Sequence, residues 1–167
     1  MNISWDDYFA GLLSQVAVKS KDPTTKIGAL IVGPDREIRS TGYNSFPRGL
    51  DDNVRERMER PEKYYWIEHA ERNAIYNAAR CGTTLKGCMV YVNSVPCIDC
   101  ARAIVQAGIC ELVICDRAAA DHKDRWAHSY TRTEQLLKEC GVKVRHIEVD
   151  LPLDQSHPPT TKAVEAG

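Results

Sequence analysis

His69, Glu71, Cys97 and Cys100 are the residues whose types and spacing can do chemistry. One imidazole and two thiolates make three zinc ligands, and three is the catalytic count, because a tetrahedral ion then keeps one position for water. A zinc ion held this way lowers the pKa of that water toward neutrality. Glu71, two positions after His69, is placed to carry its protons. The chemistry expected of the set is hydrolytic attack by water with a carboxylate as proton shuttle.

The elements around these residues follow from pattern. His69-Ala70-Glu71 opens an alanine-rich helix over 70–79, which stops at Cys81-Gly82. Cys97-Ile98-Asp99-Cys100 opens a helix over 97–107, with Ile98, Ala101, Ile104 and Val105 on one face and Gly108 as the stop. A helix N-terminus favours thiolate over thiol, and an i, i+3 pair on its first turn aims both sulfurs the same way. Pro96 suits the position just before that turn.

The remaining pattern supplies a frame. Trp5, Phe9, Leu12, Leu13, Val16 and Ala17 recur at helical spacing behind a Ser4 N-cap, predicting a helix over 5–21 that Asp22-Pro23 ends. Residues 27–32 read as a buried strand, 33–36 as a turn and 37–43 as its hairpin partner. Strands are expected over 89–92, 112–115 and 142–149, and a helix over 131–140. Strands alternating with helices imply a mixed sheet covered on both faces. Residues 44–67 form a long irregular segment with room for a helical turn within 55–62, and loops of that length inside a compact domain are usually functional or disordered.

Bulk composition narrows the class. The 167 residues are expected to form a single domain over 1–150 with a tail over 151–167. No apolar run approaches the roughly 20 residues that span a bilayer, and no secretory signal is visible, so a cytoplasmic location is the expectation. The net charge of −1, without a Lys/Arg run, argues against polymeric nucleic acid as a partner. Seven cysteines is an odd count, as suits a reducing compartment. Cys81, Cys88, Cys110, Cys115 and Cys140 are read as structural, with His122 and His128 as candidates for a second metal site. Glu68 is read as solvated or salt-bridged.

Other readings of the metal motif stay open at this level. One is a structural zinc knuckle with Glu71, Cys110 or Cys115 as fourth ligand. Another is a redox pair Cys97/Cys100 beside a core histidine.

The pattern H-x-E…P-C-x-x-C is the signature of zinc-dependent nucleobase deaminases. More of the chain joins it: Ser20-Lys21-Asp22-Pro23-Thr24-Thr25-Lys26-Ile27-Gly28-Ala29, Thr41-Gly42-Tyr43-Asn44, His69 through Ile75 and Pro96 through Ile109. Over residues 5–150 the sequence resembles the deoxycytidylate (dCMP) deaminase family of the cytidine-deaminase-like superfamily. The C-A-x-x-I-x-Q-x-G-I continuation and the G-Y-N element are the more specific parts.

That resemblance implies an α/β fold, a three-layer α/β/α sandwich around a five-stranded mixed sheet. It implies one Zn2+ per chain and hydrolysis of dCMP to dUMP and ammonia, feeding dTMP synthesis. It implies a homo-oligomer, hexamer or dimer, with feedback by dCTP and dTTP together with Mg2+. Asn44 matches the family asparagine that contacts substrate, and the backbone of Ala70 is expected to meet the base. Lys26, Arg48 and Tyr130 are nominated for phosphate and sugar. Regulated relatives read G-Y-N-G, whereas this chain has Ser45 in the glycine position, losing the latitude for close approach or positive φ. The competing assignments are deamination of another nucleobase such as guanine or cytosine, of a nucleoside or of a modified nucleotide, and a non-catalytic zinc- or nucleotide-binding module. A tRNA adenosine deaminase shares the zinc motif but would normally be more basic.

Overall fold

The computed structural model describes residues 2–116 and 123–149. Helix α1 spans Trp5–Val18, and its Ser4 cap accepts the Asp7 N–H at 3.0 Å. It stops earlier than its apolar spacing suggests, because the chain leaves the helix to build a loop. The Lys26 ammonium reaches back to the carbonyls of Val18 and Ser20, at 3.3 and 2.6 Å.

Strands β1 (Gly28–Val32) and β2 (Ile38–Tyr43) form the expected hairpin, with a register shift between Ile31 and Val32. Its turn closes through Gly33 N–H to Glu37 C=O at 2.8 Å, with Arg36 in the left-handed region at φ 68°. After β2 come a 3-10 turn at Arg55–Met58, within the expected span, and the single-turn helix α2 at Lys63–Trp66, which has no apolar periodicity to announce it. Then follow α3 (Ala70–Arg80), β3 (Met89–Val92), α4 (Ile98–Gln106), β4 (Glu111–Asp116), α5 (Lys123–Glu139) and β5 (Lys143–Glu148). Helix α5 begins eight residues before its expected start at 131. Trp126 and Tyr130 recur at helical spacing ahead of Thr133 and Leu137, so the earlier start was open to reading in the sequence.

The five strands run in the order β2-β1-β3-β4-β5, antiparallel on either side of β1 and parallel across β3, β4 and β5. Alternation along the strands divides the core in two. Leu30, Val32, Tyr91 and Val113 meet Phe9 and Leu13 of α1 on one face. Ala29, Ile31, Val90, Val92, Leu112 and Ile114 meet Ala70, Ala74 and Ala78 of α3, Ala101 and Ile104 of α4 and Leu137 of α5 on the other. The result is a three-layer α/β/α arrangement. Full burial of a side chain such as Phe9 or Leu13 contributes about 1.5–3 kcal/mol, and both are at most 1% exposed.

At one edge, Tyr91 donates to Asp6 Oδ1 at 2.7 Å, and Arg145 bridges Asp6 at 2.8 Å and Glu111 at 2.5 Å, tying α1 to β3, β4 and β5. The expectation that five cysteines are structural needs correction. Cys88 and Cys115 are buried, but Cys81, Cys110 and Cys140 are exposed, since each falls at an element end rather than on an inward face. His122, the side chain of His128 and the 151–167 tail lie outside the described residues.

Candidate active site

The two metal half-motifs sit on adjacent helix starts. His69 is the N-cap of α3 and Cys97 the N-cap of α4, both in extended backbone conformation, which turns their side chains toward each other across the sheet's end. His69 Nδ1 lies 3.5 Å from Cys97 Sγ and 3.5 Å from Cys100 Sγ. Zinc with Zn–S near 2.3 Å and Zn–N near 2.1 Å separates nitrogen and sulfur by roughly 3.6 Å along each tetrahedral edge. The donor set therefore fits the ion. Among the described residues, His69, Cys97 and Cys100 are the one group of metal-ligating atoms gathered this closely. Cys110 turns its thiol to the Gly87 carbonyl at 3.3 Å, and Cys115 packs in the α1 face of the core, so neither completes the group as a fourth ligand.

The electrostatics are those of a coupled centre. The Cys100 thiol donates to Cys97 and, with His69, draws the Cys97 thiol far below the usual cysteine range against the cost of burial. The same bond pushes Cys100 up. His69 is raised, chiefly by its hydrogen bond to Cys97, with burial opposing. Glu71 stands in the first turn of α3, only 4% exposed, and burial raises its carboxyl above the ordinary glutamate range. It also meets the Cys100 thiol, which places it beside the donor triangle.

Charged neighbours brace this arrangement. Glu68 accepts the His69 N–H at 2.9 Å and pairs with Arg72 at 2.5 Å; Arg72 also faces Asp99 on α4 at 3.8 Å. Glu68 is thus salt-bridged.

The structure places the nominated substrate residues differently from one another. Ala70 is fully buried as the first residue of α3, where helix geometry gives its N–H no intrahelical acceptor. Asn44, 6% exposed, accepts the Ile27 N–H at 2.8 Å and donates to the Thr25 carbonyl at 2.8 Å, which leaves one lone pair on Oδ1 for a ligand. Lys26 is turned to the carbonyls at the end of α1. Arg48 is joined to Asn77 of α3. Tyr130, half-buried, lies one turn before Thr133 on α5, and the Thr133 hydroxyl donates to the Pro96 carbonyl at 3.3 Å, next to Cys97.

Residues not nominated as ligands or substrate contacts hold the site together. Asn93, at the end of β3, accepts the Gly28 N–H at 2.8 Å and donates to the Lys26 carbonyl at 3.0 Å, clasping the segment that Asn44 holds from the other side. Asn73 and Asn77, one turn apart on α3, donate to the carbonyls of Tyr43 and Thr41, at 2.9 and 2.7 Å. Ser45 pairs with Glu68 through both backbone groups, at 3.1 and 2.9 Å, closing the neck of the 44–67 segment beside His69. The spacing of Asn73 and Asn77 on a helix was the available signal for two of these contacts.

Comparison with known proteins adds to the geometry. Residues 3–116 match the family model described as "Cytidine and deoxycytidylate deaminase zinc-binding region". The chain is 40% identical over 148 residues to the deoxycytidylate deaminase of Homo sapiens, covering 86% of this chain and 79% of that protein. It is 35% identical over 147 residues to an uncharacterized deaminase in the luxG 3' region of Aliivibrio fischeri, covering 88% and 96%. Its fold is similar to the crystal structure of the dCMP deaminase from the cyanophage S-TIM5 in complex with dCMP and dUMP, with a TM-score of 0.62, 25% identity, and 85% and 93% of the two chains covered.

Proposed function

This chain belongs to the cytidine and deoxycytidylate deaminase zinc-binding family, and we propose from that premise that it hydrolyses dCMP to dUMP, with one water consumed and one ammonia released. The observation that carries the reading is the buried carboxylate of Glu71 beside a donor triangle of three ligands rather than four. Like the protein of Homo sapiens named deoxycytidylate deaminase and the cyanophage dCMP deaminase solved with dCMP and dUMP, it acts on a cytosine deoxynucleotide, and its dUMP would feed dTMP synthesis.

His69, Cys97 and Cys100 would hold the metal. When bound, zinc supplies Lewis acidity that makes a water nucleophilic at neutral pH. Glu71 would take one proton from the attacking water and pass it to the ring nitrogen beside the attacked carbon, then take the second from the hydroxyl formed on that carbon and deliver it to the amine, which leaves as ammonia. Burial raises this carboxyl above the ordinary glutamate range, the direction that suits a group asked to hold a proton as well as to release it. The Ala70 N–H faces the base, and Asn44 Oδ1 accepts from the sugar. Tyr130, Arg48 and Lys26 serve the sugar and phosphate, Arg48 and Lys26 by leaving the partners that now hold them.

A cytoplasmic homo-oligomer completes the reading. Control by a deoxynucleoside triphosphate with Mg2+ is the part that Ser45 opposes. Both its backbone groups are committed to Glu68, and among the described non-glycine residues Arg36 is the one with positive φ.

The test is ammonia release by zinc-loaded protein against dCMP, CMP, deoxycytidine, cytosine and guanine. Turnover of dCMP with dUMP as product is expected. Turnover of another amine in its place would overturn the substrate assignment.

A further inference from the structure

A buried ion pair that the reaction does not use stands against Asn44. Lys63, on α2, is 8% exposed and Asp22 is 2% exposed, and Lys63 Nζ lies 2.6 Å from Asp22 Oδ2. Lys63 also donates to the Thr24 hydroxyl at 3.2 Å. Asp22 is saturated: its Oδ1 accepts the Thr24 N–H at 2.9 Å, the Thr24 hydroxyl at 2.9 Å and the Thr25 N–H at 3.1 Å, and its Oδ2 also faces Asn44 Nδ2 at 3.4 Å. Withdrawing two charges from water is costly, so a lone pair of this kind is poor evidence for stability and asks for another explanation.

Position supplies one. Lys63 lies inside the 44–67 segment, whose neck is the Ser45–Glu68 pair leading straight into His69. Asp22 lies in the segment after α1 that Asn44 and Asn93 clasp. The pair therefore joins the two irregular segments that meet at Asn44. It also orients that amide. Ile27 N–H requires an acceptor, the Thr25 carbonyl and Asp22 require a donor, and so Oδ1 and Nδ2 have one arrangement. Without the ammonium, Asp22 Oδ2, the oxygen that faces Asn44, loses its one charged donor, while Oδ1 stays held by the Thr24–Thr25 turn.

We propose that Lys63 is a positioning residue for the nucleotide, acting through Asp22 to hold the amide of Asn44 in its binding orientation, and so governing substrate affinity rather than the rate of bond breaking. The proposal rests on the reading of Asn44 as a substrate contact.

Steady-state kinetics on zinc-loaded wild type, K63M, K63R, N44A and K63M/N44A, with zinc content measured for each, test it. A hydrogen bond to a charged group lost in a buried site corresponds to roughly tenfold or more. K63M should raise KM for dCMP by about that factor, with kcat within about threefold of wild type and zinc retained. K63R should restore KM to within about threefold, since arginine keeps the charge and the donor. K63M/N44A should bind no more weakly than N44A alone, because Lys63 works through Asn44. A wild-type KM in K63M, a kcat that falls together with zinc, or effects that multiply in the double variant would overturn the proposal. Should K63M fail to fold, D22N/K63M removes both charges at once and carries the same comparison. A zinc-bound wild type inert toward dCMP would overturn the substrate reading itself and this proposal with it, whereas an unchanged KM in K63M overturns this proposal alone.

Discussion

Gly42 of β2 lies directly against Ala70 of α3: a Cβ added to Gly42 would stand 2.3 Å from the Ala70 carbonyl oxygen and 2.3 Å from the Ala74 nitrogen. Both are backbone atoms of the helix that presents His69, Ala70 and Glu71, so no side chain can swing aside to make room. The glycine is there for closeness, since its φ is not in the left-handed region. Gly42→Ala should therefore displace the first turn of α3. The expected stability loss is about 1–3 kcal/mol, as for other overpacked sites. Activity should fall further than that loss explains, by about 100-fold, because a shift near 1 Å at reacting groups costs on that order. Urea unfolding and turnover of dCMP at saturating zinc measure the two effects, and a G42A protein with wild-type turnover would show that α3 can shift without consequence.

Glu71→Gln keeps the shape of the side chain and removes its ability to take a proton. The fall in kcat should be about 10²–10⁴-fold, the range for a positioned acid–base group. Zinc content should stay at the wild-type level, since Glu71 lies beside the three-ligand group and is not one of it. A zinc-replete E71Q enzyme of normal activity would assign proton transfer to another group.

Metal removal should act on stability as well as turnover. A ligand that binds only the folded chain stabilises it by mass action. Chelation is expected to abolish deamination and lower Tm, with both recovered on adding zinc. His69→Ala and Cys100→Ser should show the lowered Tm from the outset and no further shift with chelator. A chelator-induced Tm shift of wild-type size in either variant would mean that the stabilising metal binds elsewhere.

Much of the site was legible because its residues are adjacent in sequence and sit on strong helix starts. His69 and Glu71 share one turn, Cys97 and Cys100 another, and the boundaries at Ala70 and Ile98 fall where alanine, proline and apolar spacing put them. The sheet followed from the apolar runs of β1, β3 and β4, each buried on both faces. What stayed hidden depends on partners far apart in the chain. Lys63 reads as a surface lysine until Asp22, 41 positions away, is seen beside it. Asn93 contacts residues 65 and 67 positions back. Arg145 meets Asp6 across 139 positions. Helix α2, with its exposed Tyr64 and Tyr65, has neither periodicity nor a capping side chain, and its position follows from the Lys63 contact instead.

That same contact makes a pH prediction whose sign is fixed. Burial acts to raise the Asp22 carboxyl, but the hydrogen bond from Lys63 and those from the Thr24 backbone and hydroxyl outweigh it, leaving the group below its ordinary 3.8. The folded chain thus binds this proton less readily than the unfolded chain. The stabilisation is complete above the unfolded value and is lost as pH falls through the lower folded one. Between the two values one such group contributes a slope of at most about 1.4 kcal/mol per pH unit. Asp6, lowered chiefly by its hydrogen bond from Arg145, adds to the same acid limb. Unfolding free energies by urea from pH 6 down to about pH 2.5 should therefore fall below pH ~4 in wild type. Asp22→Asn should be less stable near neutrality, where Lys63 loses its counter-charge, yet flatter on the acid side, with the Asp6 share of the slope remaining. An acid limb as steep in D22N as in wild type would place the depressed titration elsewhere, and with it the idea that Lys63 and Asp22 stay paired as ions in the folded protein.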